Sequence, residues 1–60
     1  MLFTVNETIQ VTSLSKTTIY RMFESGELKK VKLGGSTRVE FPEKWLEMYK
    51  DKIQALFKSL

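Results

Sequence analysis

Thr17, Arg21 and Glu24 stand four and three residues apart, which at about 100° per residue puts all three on one side of a helix. Lys16, Thr18, Tyr20 and Ser25 lie on the flanks of that side. Every one of these side chains can hydrogen-bond, two are cationic, and an arginine fork can grip a planar acceptor pair or an anion. The chemistry they offer is recognition of a polar surface rather than bond making. The opposite side carries Ile19, Met22 and Phe23, an i, i+3, i+4 stripe for a core. Ser15 precedes the pattern as an N-cap and Gly26 follows it where a residue of positive φ ends a helix.

A helix this short needs elements to hold it. Thr4 and Glu7 have the T-x-x-E spacing of a capping box, so a helix is expected to start there. Val5, Thr8, Ile9 and Thr12 share its inward face, which is rich in threonine. Ser13 and Leu14 leave room only for a tight turn before Ser15, and two helices so joined make a helix-turn-helix. Met1 to Phe3 suit either a short strand or an apolar lead-in.

After Gly26, Lys30 and Lys32 alternate with Val31 and Leu33, and beyond Gly34-Gly35-Ser36 the residues Arg38 and Glu40 alternate with Val39 and Phe41. Period-two alternation on both sides of a glycine-rich loop predicts a two-stranded hairpin. A two-residue loop at Gly34-Gly35 would set Val31 against Arg38, whereas a three-residue loop from Gly34 to Ser36 pairs Val31 with Val39, Leu33 with Thr37 and Lys30 with Glu40. The second register keeps like with like and is the expected one, at the cost of Lys32 facing Arg38. A phosphate between those two cations would turn their repulsion into binding.

Pro42 is expected at N1 of a last helix that runs nearly to the C-terminus. Its Trp45, Leu46, Tyr49, Ile53, Leu56, Phe57 and Leu60 fall within about 120° of arc. A helix of about 19 residues is roughly 28 Å long, so the end from Ile53 to Leu60 is expected to overhang a small globule. Ile53, Leu56, Phe57 and Leu60 are therefore candidate oligomer or partner contacts, the plainer alternative being a stripe packed on its own domain.

Composition narrows the function. The 60 residues hold no cysteine and no histidine, which removes disulfides, the usual zinc sites and Cys or His catalysis. The carboxylates form no pair with another catalytic group, so an enzyme is not expected, nor is a cofactor. No apolar run reaches membrane-span length and no leader pattern is present, so a cytoplasmic, nucleoid-associated protein is expected. The net charge of +3 is unevenly placed: residues 1–14 carry −1, residues 15–38 carry +4 and residues 39–60 are neutral. Positive charge gathered on the central segment is an electrostatic footprint for a polyanion.

A helix-turn-helix followed at once by a basic hairpin is a winged-helix arrangement, and the chain resembles the excisionase-type and MerR-like winged-helix DNA-binding domains. The resemblance rests on Thr4-Val5, Glu7, Leu14-Ser15, Thr18-Ile19-Tyr20-Arg21, Ser25-Gly26-Glu27-Leu28, Val31, Gly34-Gly35, Arg38 and Trp45-Leu46. It covers residues 3 to 46. Ser13 stands where the family has a turn glycine, at a cost of about 1 kcal/mol if its φ is positive.

The resemblance implies a small α+β winged helix-turn-helix comprising helix-turn-helix, two-stranded wing hairpin and C-terminal helix. From the length of 60 residues one domain, 1–60, is expected, with 47–60 as a helical extension that the resemblance does not cover. The resemblance also implies a partner, double-stranded DNA, with the second helix in the major groove. Ser15, Lys16, Thr17, Thr18, Tyr20 and Arg21 would be its contacts on that helix, and Lys30, Lys32, Gly34, Gly35, Ser36, Thr37 and Arg38 its contacts on the wing. Family members include recombination directionality factors, which bind and bend DNA beside an integrase or recombinase, and small transcriptional regulators. An excisionase of a phage or mobile element is the leading expectation, with cooperative binding or self-association at adjacent sites. A MerR-like regulator is the alternative within the class, and an interaction module working through its C-terminal helix is the alternative outside it.

Overall fold

Thr4 and Glu7 form the capping box: the Glu7 amide donates to the Thr4 hydroxyl at 3.0 Å and the Thr4 amide to the Glu7 carboxylate at 2.8 Å. This start fixes α1 (Val5–Thr12) directly behind a first strand, β1 (Leu2–Thr4). In this computed structural model, which describes residues 2–58, the further elements are α2 (Lys16–Ser25), β2 (Lys29–Leu33), β3 (Ser36–Glu40), α3 (Glu43–Met48) and α4 (Lys50–Lys58).

The threonine-rich face of α1 is buried, and its hydroxyls are satisfied inside the helix itself. Thr8 donates to the Thr4 carbonyl at 2.9 Å and Thr12 to the Thr8 carbonyl at 2.7 Å. With the polar atom taken up four residues back, each threonine presents its methyl group to the core. Val11, absent from the stripe read off the sequence, joins that face and is buried.

Ser13 ends α1 in the left-handed region, at φ 63 and ψ 16, with its amide bonded to the Ile9 carbonyl at 2.8 Å. A β-carbon there carries the strain that glycine escapes. Ser13→Gly is therefore expected to stabilise the protein by about 1 kcal/mol, raising the midpoint of thermal unfolding by about 4–8 °C. A melting curve that does not move would show that the turn has relaxed the strain elsewhere.

The second helix is bounded as its sequence requires. The Thr18 amide donates to the Ser15 hydroxyl at 3.2 Å, and Gly26, at φ 87, closes the other end with its amide toward the Phe23 carbonyl. The Leu28 amide then reaches back to the Met22 carbonyl at 3.2 Å, turning the chain so that Leu28 enters the core.

Three strands, not two, form the sheet, in the order β1-β3-β2 and antiparallel throughout. β1 decides the layout. Phe3 lies opposite Val39, both are fully buried, and the Phe3 ring packs 4.3 Å from the ring of Phe41. Val39 and Phe41 thus face inward as expected, but the hairpin register is the other one. Leu33 pairs with Ser36, Lys32 with Thr37, Val31 with Arg38, Lys30 with Val39 and Lys29 with Glu40 across a two-residue Gly34-Gly35 loop. Gly34, at φ 62, supplies the positive φ that such a tight turn needs.

The physical reason for the correction is that β2 is an edge strand. Its inward-facing Lys30 and Lys32 run past the margin of the core and stay exposed, while Val31 is half-buried and Leu33 exposed on the outer face. Long lysine stems can lie along apolar surface with their ammonium groups in water, so the strand did not have to turn its valine and leucine inward.

The C-terminal segment departs from expectation as well. Pro42 is the N-cap of α3 rather than its first helical residue, and the helix is interrupted at Tyr49, at φ −104 and ψ 17. Tyr49 still bonds both ways, its amide to the Trp45 carbonyl at 2.8 Å and its carbonyl from the Ile53 amide at 2.9 Å. Beyond this break α4 packs against α1, and Ile53 joins Phe3, Val11, Ile19, Leu28, Val39 and Phe41 in the core. The described chain measures 29 × 24 × 20 Å, and the expected overhang is absent among its residues.

Candidate nucleic-acid interface

The working face of α2 follows from what its other face buries. Ile19 is fully enclosed and Met22 and Phe23 are packed against the core, so Lys16, Thr17, Arg21 and Glu24 are exposed on the opposite side. These four, with Tyr20, line one shallow open cleft. The Tyr20 ring stands edge-on to Phe23, 5.4 Å between centroids at 89°, which sets the phenol at the rim rather than in the core. Thr18 is half-buried, and its hydroxyl lies 2.9 Å from that of Ser15, so this pair is tied into the helix cap while Lys16 and Thr17 remain open to a ligand.

The wing residues divide between the two faces of the sheet. Lys30, Lys32 and Thr37 lie on the face shared with Val39 and the helices, and Ser36 and Arg38 on the outer face. Lys32 is opposite Thr37, so the expected like-charge pair with Arg38 does not form. Arg38 is half-buried between Thr4 and Val31 in the neighbouring strands, and its guanidinium donates to the Thr37 carbonyl at 3.3 Å. Gly34, Gly35 and Ser36 form the exposed tip. The structure thus gathers the residues of α2 into one surface but separates Arg38 from Lys30 and Lys32.

Of the tail residues expected at an oligomer or partner contact, Ile53 is buried and Leu56 is half-buried against the core. Phe57 is 40% exposed with its ring 6.1 Å from that of Phe3, and Leu60 lies outside the described residues. Glu24, which the sequence places on the outward side of α2 but not among the expected contacts, lines the same cleft as Arg21. Its spacing of seven from Thr17 was the available signal, since seven residues complete nearly two helical turns.

A helix-turn-helix whose second helix bears an exposed polar cleft, followed by a lysine-bearing hairpin, defines a winged-helix DNA-binding domain. Residues 2–48 match the family described as "Helix-turn-helix domain". The chain belongs to this excisionase-type family and is a DNA-binding helix-turn-helix protein. Neither the curated proteins nor the solved structures give a significant match. The family match ends at residue 48, so α4, which completes the core, lies beyond it. No helix among the described residues is long and apolar enough to cross a membrane.

Proposed function

We propose that this protein is a sequence-specific DNA-binding accessory factor, an excisionase-type recombination directionality factor that binds and bends duplex DNA and has no catalytic activity of its own. The whole chain is read as one domain. The observation that carries the reading is the cleft of α2, where Lys16, Thr17, Tyr20, Arg21 and Glu24 converge on one exposed surface directly opposite the buried Ile19. A surface of this kind reads base edges through Arg21 and takes phosphates on Lys16 and the hydroxyls. Lys30 and Lys32, on the helix side of β2, are assigned to the flanking phosphates. The small regulator is the nearest alternative, because it would use the same cleft.

Binding to a duplex should weaken steeply with salt, because each phosphate neutralised by a lysine or arginine releases condensed counterions. For about four such contacts the slope of log K against log salt is about −4. Anisotropy titrations over a series of salt concentrations measure it directly, and a flat response would remove the DNA-binding reading. Gel mobility of permuted fragments tests the bending, and cofootprinting with a recombinase tests the partner.

A further inference from the structure

Glu24 is out of place on a surface built for a polyanion. It is exposed, it lines the same cleft as Lys16 and Arg21, and it sits in the last turn of α2 (Lys16–Ser25). A carboxylate in the last turn of a helix opposes the helix dipole, and near a phosphate backbone it is repelled. It therefore weakens both the helix and unselective binding. Its position relative to the other cleft residues shows where it has a use. Thr17, Arg21 and Glu24 lie at i, i+4 and i+7, so they form one row about 10 Å long at 1.5 Å per residue. That is roughly the length of three base steps at 3.4 Å per step, and the row is centred opposite the buried Ile19, where a groove floor would lie.

We infer that Glu24 is a specificity-determining residue: its carboxylate accepts a hydrogen bond from an exocyclic amine on a base edge in the major groove, N4 of cytosine or N6 of adenine, next to the base pair read by Arg21. Only those two groups donate into the major groove. Guanine O6 and thymine O4 are acceptors and would face the carboxylate lone pair to lone pair. Glu24 thus favours one class of base and disfavours the other, while its charge lowers affinity for DNA in general. The inference rests on α2 being the recognition helix.

The test compares wild type, Glu24→Ala and Glu24→Gln for binding to a selected site, to variants of it carrying each base pair in turn, and to an unrelated duplex, at fixed salt. Glu24→Ala is expected to bind the unrelated duplex several-fold more tightly and to lose about tenfold or more of its discrimination at one position, with the other positions unchanged. Glu24→Gln, whose amide can donate as well as accept, is expected to relax the same position. The preferred base at that position separates cytosine from adenine. Because the side chain is exposed, thermal unfolding of both variants should match or exceed wild type. Equal tightening on every duplex, with no change in base preference, would overturn the inference and leave Glu24 as a bystander charge or a helical partner of Arg21. Wild-type protein that binds no duplex at all would overturn the underlying reading instead.

Discussion

Arg21→Ala is expected to lower affinity for the specific site by about 1–3 kcal/mol while leaving the fold intact. Arg21 is exposed in the cleft of α2 and projects away from the buried Ile19, so truncating it opens no cavity, and alanine is the better helix former. The form of the loss identifies what Arg21 touches. If it reads a guanine edge, its removal should weaken the specific complex and relax one position, with little change on an unrelated duplex. If it contacts phosphate, binding should weaken evenly over all sequences and the salt slope should shrink by about one. Arg21→Lys separates the two again, since lysine keeps the charge but not the bidentate fork. Titration of both variants against specific and unrelated duplexes makes the measurement. Arg38→Ala is the comparison: Arg38 is half-buried on the outer sheet face with its guanidinium on the Thr37 carbonyl, so its loss should cost less than that of Arg21. Unchanged affinity of Arg21→Ala for every duplex would remove α2 from the interface.

The helix-turn-helix was legible in the sequence because its signals are local. The Thr4–Glu7 box, the Ser15 cap and the Gly26 stop each act over three or four residues, and such short-range hydrogen bonds depend little on the rest of the chain. The outward row on α2 followed from the same periodicity that buried Ile19. The positive φ of Ser13 was legible for a different reason, since the resemblance marked that place as one for glycine.

What was not legible depends on long-range pairing. β1 is only three residues long, too short for any periodic pattern, and exists because Phe3 meets Val39 and Phe41 across the sheet. Without β1, alternation in β2 looked like a core-facing face, and the like-with-like rule selected the wrong register. Once β3 is central, its own Val39 and Phe41 settle which face is inside, and the edge strand follows. For the candidate site this matters more than for the fold: a register change moves every β2 side chain to the other face, and it is what parts Lys32 from Arg38. The break at Tyr49 left no mark in the heptad-like spacing of the tail either, because Ile53 and Leu56 face the core on both sides of the question.

Truncation after Lys52 is expected to unfold the protein rather than merely to loosen its association. It would remove Ile53, which is 7% exposed, and Leu56, which packs against the same core. Ile53 closes the core where α4 meets α1. Loss of a buried isoleucine side chain costs about 2–5 kcal/mol, and a single core in a chain of this size rarely supplies more than about 3–5 kcal/mol in total. The deletion removes that contribution and more, so circular dichroism should show no cooperative thermal transition. Graded substitutions keep the result interpretable: Ile53→Val should lower stability by about 0.5–1.5 kcal/mol with DNA binding retained, and Ile53→Ala should approach the truncated protein. The opposite outcome is equally clear. A truncated chain that melts cooperatively near the wild-type temperature, binds one site and loses only its cooperativity at adjacent sites would return α4 to the role of an interface. Burial of Ile53 between α4 and α1 is what sets the expectation against that result, because a side chain already enclosed by its own chain has little surface left to offer a second one.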